Sequence, residues 1–193
     1  MKQIALSISN EFVKRKIISA EDIDIYRYGL EILLSSTLTS ISVIIVATIL
    51  DSLGFGLLYL FLTVPLRITV GGYHANTYRE CILLSNLSYA ALSFALTYLE
   101  KGNIPVHLWL TLLYSSALYI FIKAPVQNIH QPLNELLLRN NKYISRTFLI
   151  LDCSIISFLE IILPSSKIVH FSILSIVLVA LLIIPTQKGG GDQ

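Results

Sequence analysis

Long apolar runs without charge constrain this chain more than any other feature. Residues 32–50, 53–66, 81–99, 104–122 and 168–185 hold no Asp, Glu, Lys or Arg, and 147–163 holds only Asp152 and Glu160. About 20 apolar residues in a helix cross the ~30 Å hydrocarbon layer of a bilayer. Charged residues make up 13% of the chain, against roughly 25% in a soluble domain, too few to cover a globule of this size with polar surface. The expected fold is an all-α integral membrane protein with about six transmembrane helices and N-terminal interfacial helices. Its spans are read at 30–50, 53–70, 81–99, 104–122, 147–163 and 168–185. The apolar part of the second ends at Leu66, so its helix is expected to continue through Arg67 to Val70. Three regions follow: a cytoplasmic interfacial region at 1–29, a six-span membrane domain at 30–185, and a disordered cytoplasmic tail at 186–193.

Ile4, Ile8 and Phe12 recur at helical spacing and precede Lys14-Arg15-Lys16. Such a stretch suits a helix lying in the headgroup layer. Ser19 followed by Glu21 and Asp22 predicts the start of a second short helix. With both termini inside, Lys2, Lys14, Arg15, Lys16, Arg27, Arg67, Arg79, Lys123, Arg139, Lys142, Arg146 and Lys188 face the cytoplasm, and only Lys101 and Lys167 face out. The positive-inside rule selects this orientation. A net charge of +2 without a basic patch argues against nucleic acid as a partner. Met1–Asn10 lacks the apolar core and small-residue site of a cleavable signal peptide. Two cysteines, Cys81 and Cys153, permit one disulfide but not a disulfide-stapled scaffold.

The chemistry concentrates in loop 67–81, Arg67-Ile-Thr-Val-Gly71-Gly72-Tyr-His74-Ala-Asn-Thr-Tyr-Arg-Glu-Cys81. Gly71-Gly72 permits positive φ, so the chain turns sharply as it leaves the membrane. A cysteine nucleophile needs a base, usually histidine, and a helix N-terminus favours its thiolate. His74 and Cys81 are seven residues apart, about 10.5 Å along a straight helix. A working pair therefore requires a break between them, with His74 on the turn and Cys81 in the first turns of the third span. A lone cysteine at a span boundary is more often structural, and Cys153, among apolar residues, reads as packing.

Residues 67–81 resemble the accessory gene regulator protein B (AgrB) family. So do the length, the hydrophobic layout and the loop Ala124-Pro125-Val126-Gln127-Asn128-Ile129-His130-Gln131-Pro132-Leu133. Gln127 departs from the acid expected there. The resemblance implies a multi-pass cysteine endopeptidase of the Gram-positive cell membrane, with His74 and Cys81 catalytic and Arg67, Gly71 and Gly72 in support. It implies cleavage of the C-terminal part of a short, membrane-associated AgrD-type propeptide and formation of a cyclic thiolactone through an acyl-thioester on Cys81. No cofactor or metal is called for, and a homodimer is an option. The alternative is a small transporter or channel without covalent catalysis, suggested by Asp152, Glu160 and the Ser/Thr residues of the first span. It lacks paired broken helices in matching halves. His107 and His170 read as interfacial, whereas His130 stands out as a functional candidate because its loop is cytoplasmic.

Overall fold

The computed structural model describes residues 2–71, 77–102, 104–126, 135–164 and 166–188. Among the described residues seven α-helices follow one another: α1 (Lys2–Lys14), α2 (Ile23–Ile49), α3 (Leu53–Val70), α4 (Tyr78–Leu99), α5 (Val106–Lys123), α6 (Glu135–Ile162) and α7 (Lys167–Lys188). Five helical segments are long and apolar enough to cross a membrane: Ala20–Ile49, Leu53–Val70, Tyr78–Gly102, Val106–Lys123 and Lys167–Ile184. The chain is an all-α membrane protein.

α6 falls short of that criterion in composition alone, because Arg146, Asp152 and Glu160 interrupt its C-terminal part. Its outer face is nonetheless apolar: Ile150, Leu151, Ile155, Phe158 and Ile161 point outward, while Ser145, Leu149, Ile156 and Glu160 are buried. An exposed apolar face with a buried acid suits a helix in lipid. α6 also runs beside the second half of α5 in the opposite direction. Arg146 Nη2 donates to the Phe121 carbonyl at 3.3 Å, and Tyr114 and Ser157 share a hydroxyl bond of 2.7 Å.

Such pairings align α2 to α7 between two ends of one bundle. At the first end Tyr78 bonds Glu31 and Gly71 pairs with Val126. At the second end the α2–α3 turn meets the end of α4, and Lys167 pairs with Glu100 at 3.2 Å. Arg67, Arg79, Lys123 and Arg146 belong to the first end, Lys101 and Lys167 to the second. α2 and α4 run parallel, tied by Tyr78–Glu31 and by Asn86 Nδ2 to Ser42 Oγ at 2.8 Å.

α7 lies at the centre, packed on α3, α4, α5 and α6. Val169, Phe171, Ile173, Ile176, Val179 and Ile183 are all buried. Phe171 meets Phe55 at 4.9 Å and Tyr89 at 6.3 Å between ring centroids, and Tyr89 meets Tyr59 at 5.6 Å. This cluster joins α3, α4 and α7. The Tyr89 hydroxyl reaches Ser52 at 2.8 Å, so its polar tip is satisfied inside the bundle. At the second end His170 stacks on Trp109 at 4.2 Å, with Glu100 and Glu160 each 4.0 Å from one of its ring nitrogens. His170, read as interfacial in the sequence, is buried here, as is Glu160.

Helix ends differ from the expected boundaries for identifiable reasons. Ser19 stands at the N-cap of a short 3-10 turn, Ala20–Asp22, which runs directly into α2; its hydroxyl donates to Asp22 at 2.6 Å. Asp24 and Arg27 interrupt the apolar run but not the helix, since they pair with each other at 3.1 Å. α6 likewise starts at Glu135, twelve residues before the apolar run at 147. α7 continues through Pro185 to Lys188 instead of ending there; one turn from the C-terminus, a proline removes only one backbone bond. α1 folds back through Lys16 (φ 59°) and packs on α2 through Ala5 and Ser9. Ile4 stays exposed, while Ile8 and Phe12 are half-buried.

α2 and α3 meet closely at Gly56, where an added Cβ would stand 2.4 Å from the Ala47 Cβ. Small residues allow such approach between membrane helices. Gly56→Val is expected to destabilise the protein by about 1–3 kcal/mol through overpacking. Thermal unfolding in detergent should show a lower midpoint, partly restored by Ala47→Gly. An unchanged midpoint for Gly56→Val would contradict this packing.

Candidate active site

Thr77 begins the site. Its extended backbone (φ −130°, ψ 152°) precedes α4, and its hydroxyl accepts the Glu80 amide at 3.2 Å. Thr-x-x-Glu is the sequence of a capping box, and the cap fixes the first turn of the helix. The Cys81 amide donates to the Thr77 carbonyl at 3.1 Å. Cys81 therefore lies in the first turn of α4, where the helix dipole favours negative charge. Its thiol is free and half-buried.

Arg67 is half-buried in the last turn of α3, and its carbonyl accepts the Gly71 amide at 3.1 Å. Arg67, in the last turn of α3, and Cys81, in the first turn of α4, lie at the end of the bundle where α3 gives way to α4.

Gly71 ends α3 with φ 74° and ψ −149°. Only glycine adopts that region readily. A second constraint acts at the same atom: a Cβ on Gly71 would lie 2.3 Å from the Val126 carbonyl oxygen. The Val126 amide donates to the Val70 carbonyl at 2.9 Å, forming a short parallel bridge. The start of the 67–81 loop is thus joined through backbone to the segment after α5. Arg146 closes the neighbouring end of α5, with its guanidinium 4.2 Å above the Phe121 ring.

His74 and Gly72 lie outside the described residues, as do Gln127 and His130. Of the five residues singled out, the structure brings Arg67, Gly71 and Cys81 to the first end. Cys153 is distant in role: half-buried on α6, it lines an open apolar groove against α5 with Tyr114, Leu118 and Phe121. Asp152 is also half-buried on α6.

Sequence reasoning passed over Glu31, Tyr78 and the Val126 contact. Tyr78, the first residue of α4, donates its hydroxyl to the buried Glu31 carboxylate, and Arg27 faces the other oxygen at 3.8 Å. Glu31 had a usable signal, since it is the only charged residue between positions 28 and 50. An ionisable group in such a run is a functional candidate by default.

The family model of accessory gene regulator B matches residues 2–184, nearly the whole chain. The chain belongs to the AgrB family. No curated protein and no solved structure matches it. AgrB membership associates the chain with quorum-sensing peptide processing and with the membrane. For an AgrB protein, the feature the structure adds is the Gly71–Val126 pairing.

Gly71→Ala should break that pairing, because it meets both the backbone strain and the Val126 carbonyl. The strained backbone alone costs about 1–3 kcal/mol. Thermal unfolding in detergent should shift downward and peptide processing should fall together. A variant that keeps both would show that the pairing is dispensable.

Proposed function

We propose that this chain is a membrane-embedded cysteine endopeptidase that cleaves an AgrD-type propeptide and closes a thiolactone. Supporting it are the AgrB family match and one observation above all: a free, half-buried thiol, Cys81, in the first turn of a capped helix. The role of His74 rests on its place in the sequence, between the Gly71 turn and the Thr77 cap.

In this mechanism His74 takes the proton of the Cys81 thiol. The thiolate attacks the scissile carbonyl, and the C–N bond breaks as His74 returns the proton to the leaving amine. The N-terminal part of the propeptide then remains on Cys81 as a thioester. A cysteine thiol within the propeptide attacks the same carbonyl, the bond to Cys81 breaks, and the proton passes back to Cys81. One thioester replaces another, so the bond type is unchanged. Keeping water from the intermediate favours ring closure over hydrolysis. Arg67 supports the loop at the foot of α3.

The membrane arrangement goes with this mechanism. Six spans, with α6 the fifth, place both termini and the Cys81 end in the cytoplasm, where a propeptide is made. Region 1–29 lies at the inner face, 30–185 forms the membrane domain, and 186–193 is a cytoplasmic tail.

Cys81→Ala and His74→Ala should each abolish cleavage of co-expressed propeptide while the protein still inserts. Cys153→Ala should keep most activity. Mass spectrometry should detect a propeptide adduct on Cys81; a transporter or channel would form none. Normal cleavage by Cys81→Ala would sink the peptidase assignment.

Reporter fusions after residues 28, 76, 130 and 188 should read cytoplasmic, and fusions near 51, 102 and 166 external. An external signal at 76 would place Cys81 on the wrong face.

A further inference from the structure

We propose that Glu31 and Tyr78 form a positioning pair that holds the first turn of α4, and with it Cys81, at a fixed height against α2. The consequence for reaction rate rests on the peptidase function of Cys81. The consequence for the thiol itself rests on geometry alone.

Glu31 is buried among the apolar residues of α2, with a side chain 10% exposed. A carboxylate in such surroundings is costly unless it is hydrogen-bonded. Both oxygens are addressed: one accepts the Tyr78 hydroxyl, and the other faces Arg27 Nε at 3.8 Å. Hydrogen bonds to an ionised acceptor are among the stronger ones in proteins. Arg27, which also pairs with Asp24 at 3.1 Å, offsets part of the charge of Glu31.

The placement of this bond along α4 gives it consequence. Tyr78 stands one helical turn before Cys81 and bonds to α2. Asn86, just over a turn after Cys81, bonds to α2 through Ser42 at 2.8 Å. Cys81 is therefore bracketed by two ties to one neighbouring helix. Helix ends fray, and the first turn is the part most easily lost. Thr77 caps that turn from within, and Tyr78 ties it to α2. Loss of that tie loosens the turn that carries the thiol. Misplacement of a reacting group by about 1 Å is enough to lower a rate about 10²-fold.

The test uses the full-length protein in a Cys153→Ser background, so that Cys81 is the only thiol. Cleavage of propeptide and alkylation of Cys81 by a small maleimide are measured in nanodiscs. Tyr78→Phe keeps the ring and removes the hydroxyl; kcat should fall about tenfold with KM within about twofold, the scale of losing one hydrogen bond to a charged group. Glu31→Gln keeps an acceptor oxygen and should stay within about threefold of the parent, whereas Glu31→Leu should fall like Tyr78→Phe. The double variant Tyr78→Phe/Glu31→Leu should be no worse than either single change, because one interaction is removed once. Alkylation of Cys81 should be about threefold faster in Tyr78→Phe as the turn loosens. A Tyr78→Phe variant with parental kcat and parental alkylation overturns the proposal, as do losses that multiply in the double variant. If Glu31→Leu does not accumulate, the contrast between Tyr78→Phe and Glu31→Gln decides alone. If Cys81→Ala still cleaves, the peptidase assignment fails, and the alkylation rates still decide whether the pair holds the thiol.

Discussion

A bilayer offers the backbone no water, so each peptide group inside it must find a partner within the chain. The architecture follows from that demand. Helices satisfy their own backbone, and several of the remaining polar groups turn inward. Glu31, Ser35, Ser85, Ser88, Glu160 and His170 are buried, while Ile, Leu and Phe cover the outside of α2, α4 and α6. α6 shows the inversion most clearly, with Glu160 inside and Ile161 outside on adjacent residues. Ser and Thr side chains return to carbonyls one turn back, as Thr39 does to Ser35 and Ser93 to Tyr89, and so add polarity without leaving it unpaired.

Against that background the two ends of the bundle are built differently. The second end carries its polarity in side chains, with His170 and Trp109 stacked between acids from α4 and α6. The first end relies on helix termini: the Thr77 cap, the Gly71 turn, the bridge to Val126 and the Glu31–Tyr78 tie. Helix termini expose donors and acceptors that side chains and substrates can meet. The nucleophile candidate lies at this end.

How much of this was legible in the sequence depends on the range of the interaction. Apolar runs announced the spans, because burial in lipid acts residue by residue. They did not announce helix limits. Asp24 and Arg27 end the apolar run of α2 but support the helix by pairing across one turn. At the site, Gly71 and the placement of Cys81 were readable because turn and cap chemistry is local. The Gly71–Val126 bridge, the Glu31–Tyr78 bond and the burial of His170 were not. Each joins segments far apart in the chain, and its register is set only when whole helices pack. Glu31 could still have been flagged, as a lone charge in an uncharged stretch.

The Gly71–Val126 bridge is made by backbone atoms on both sides. It therefore reads the path of the chain after α5, while the Val126 side chain packs against the core. A residue at 126 has only to keep its N–H and its place in the core to hold the foot of α3, whereas at 71 any side chain would press the two segments apart.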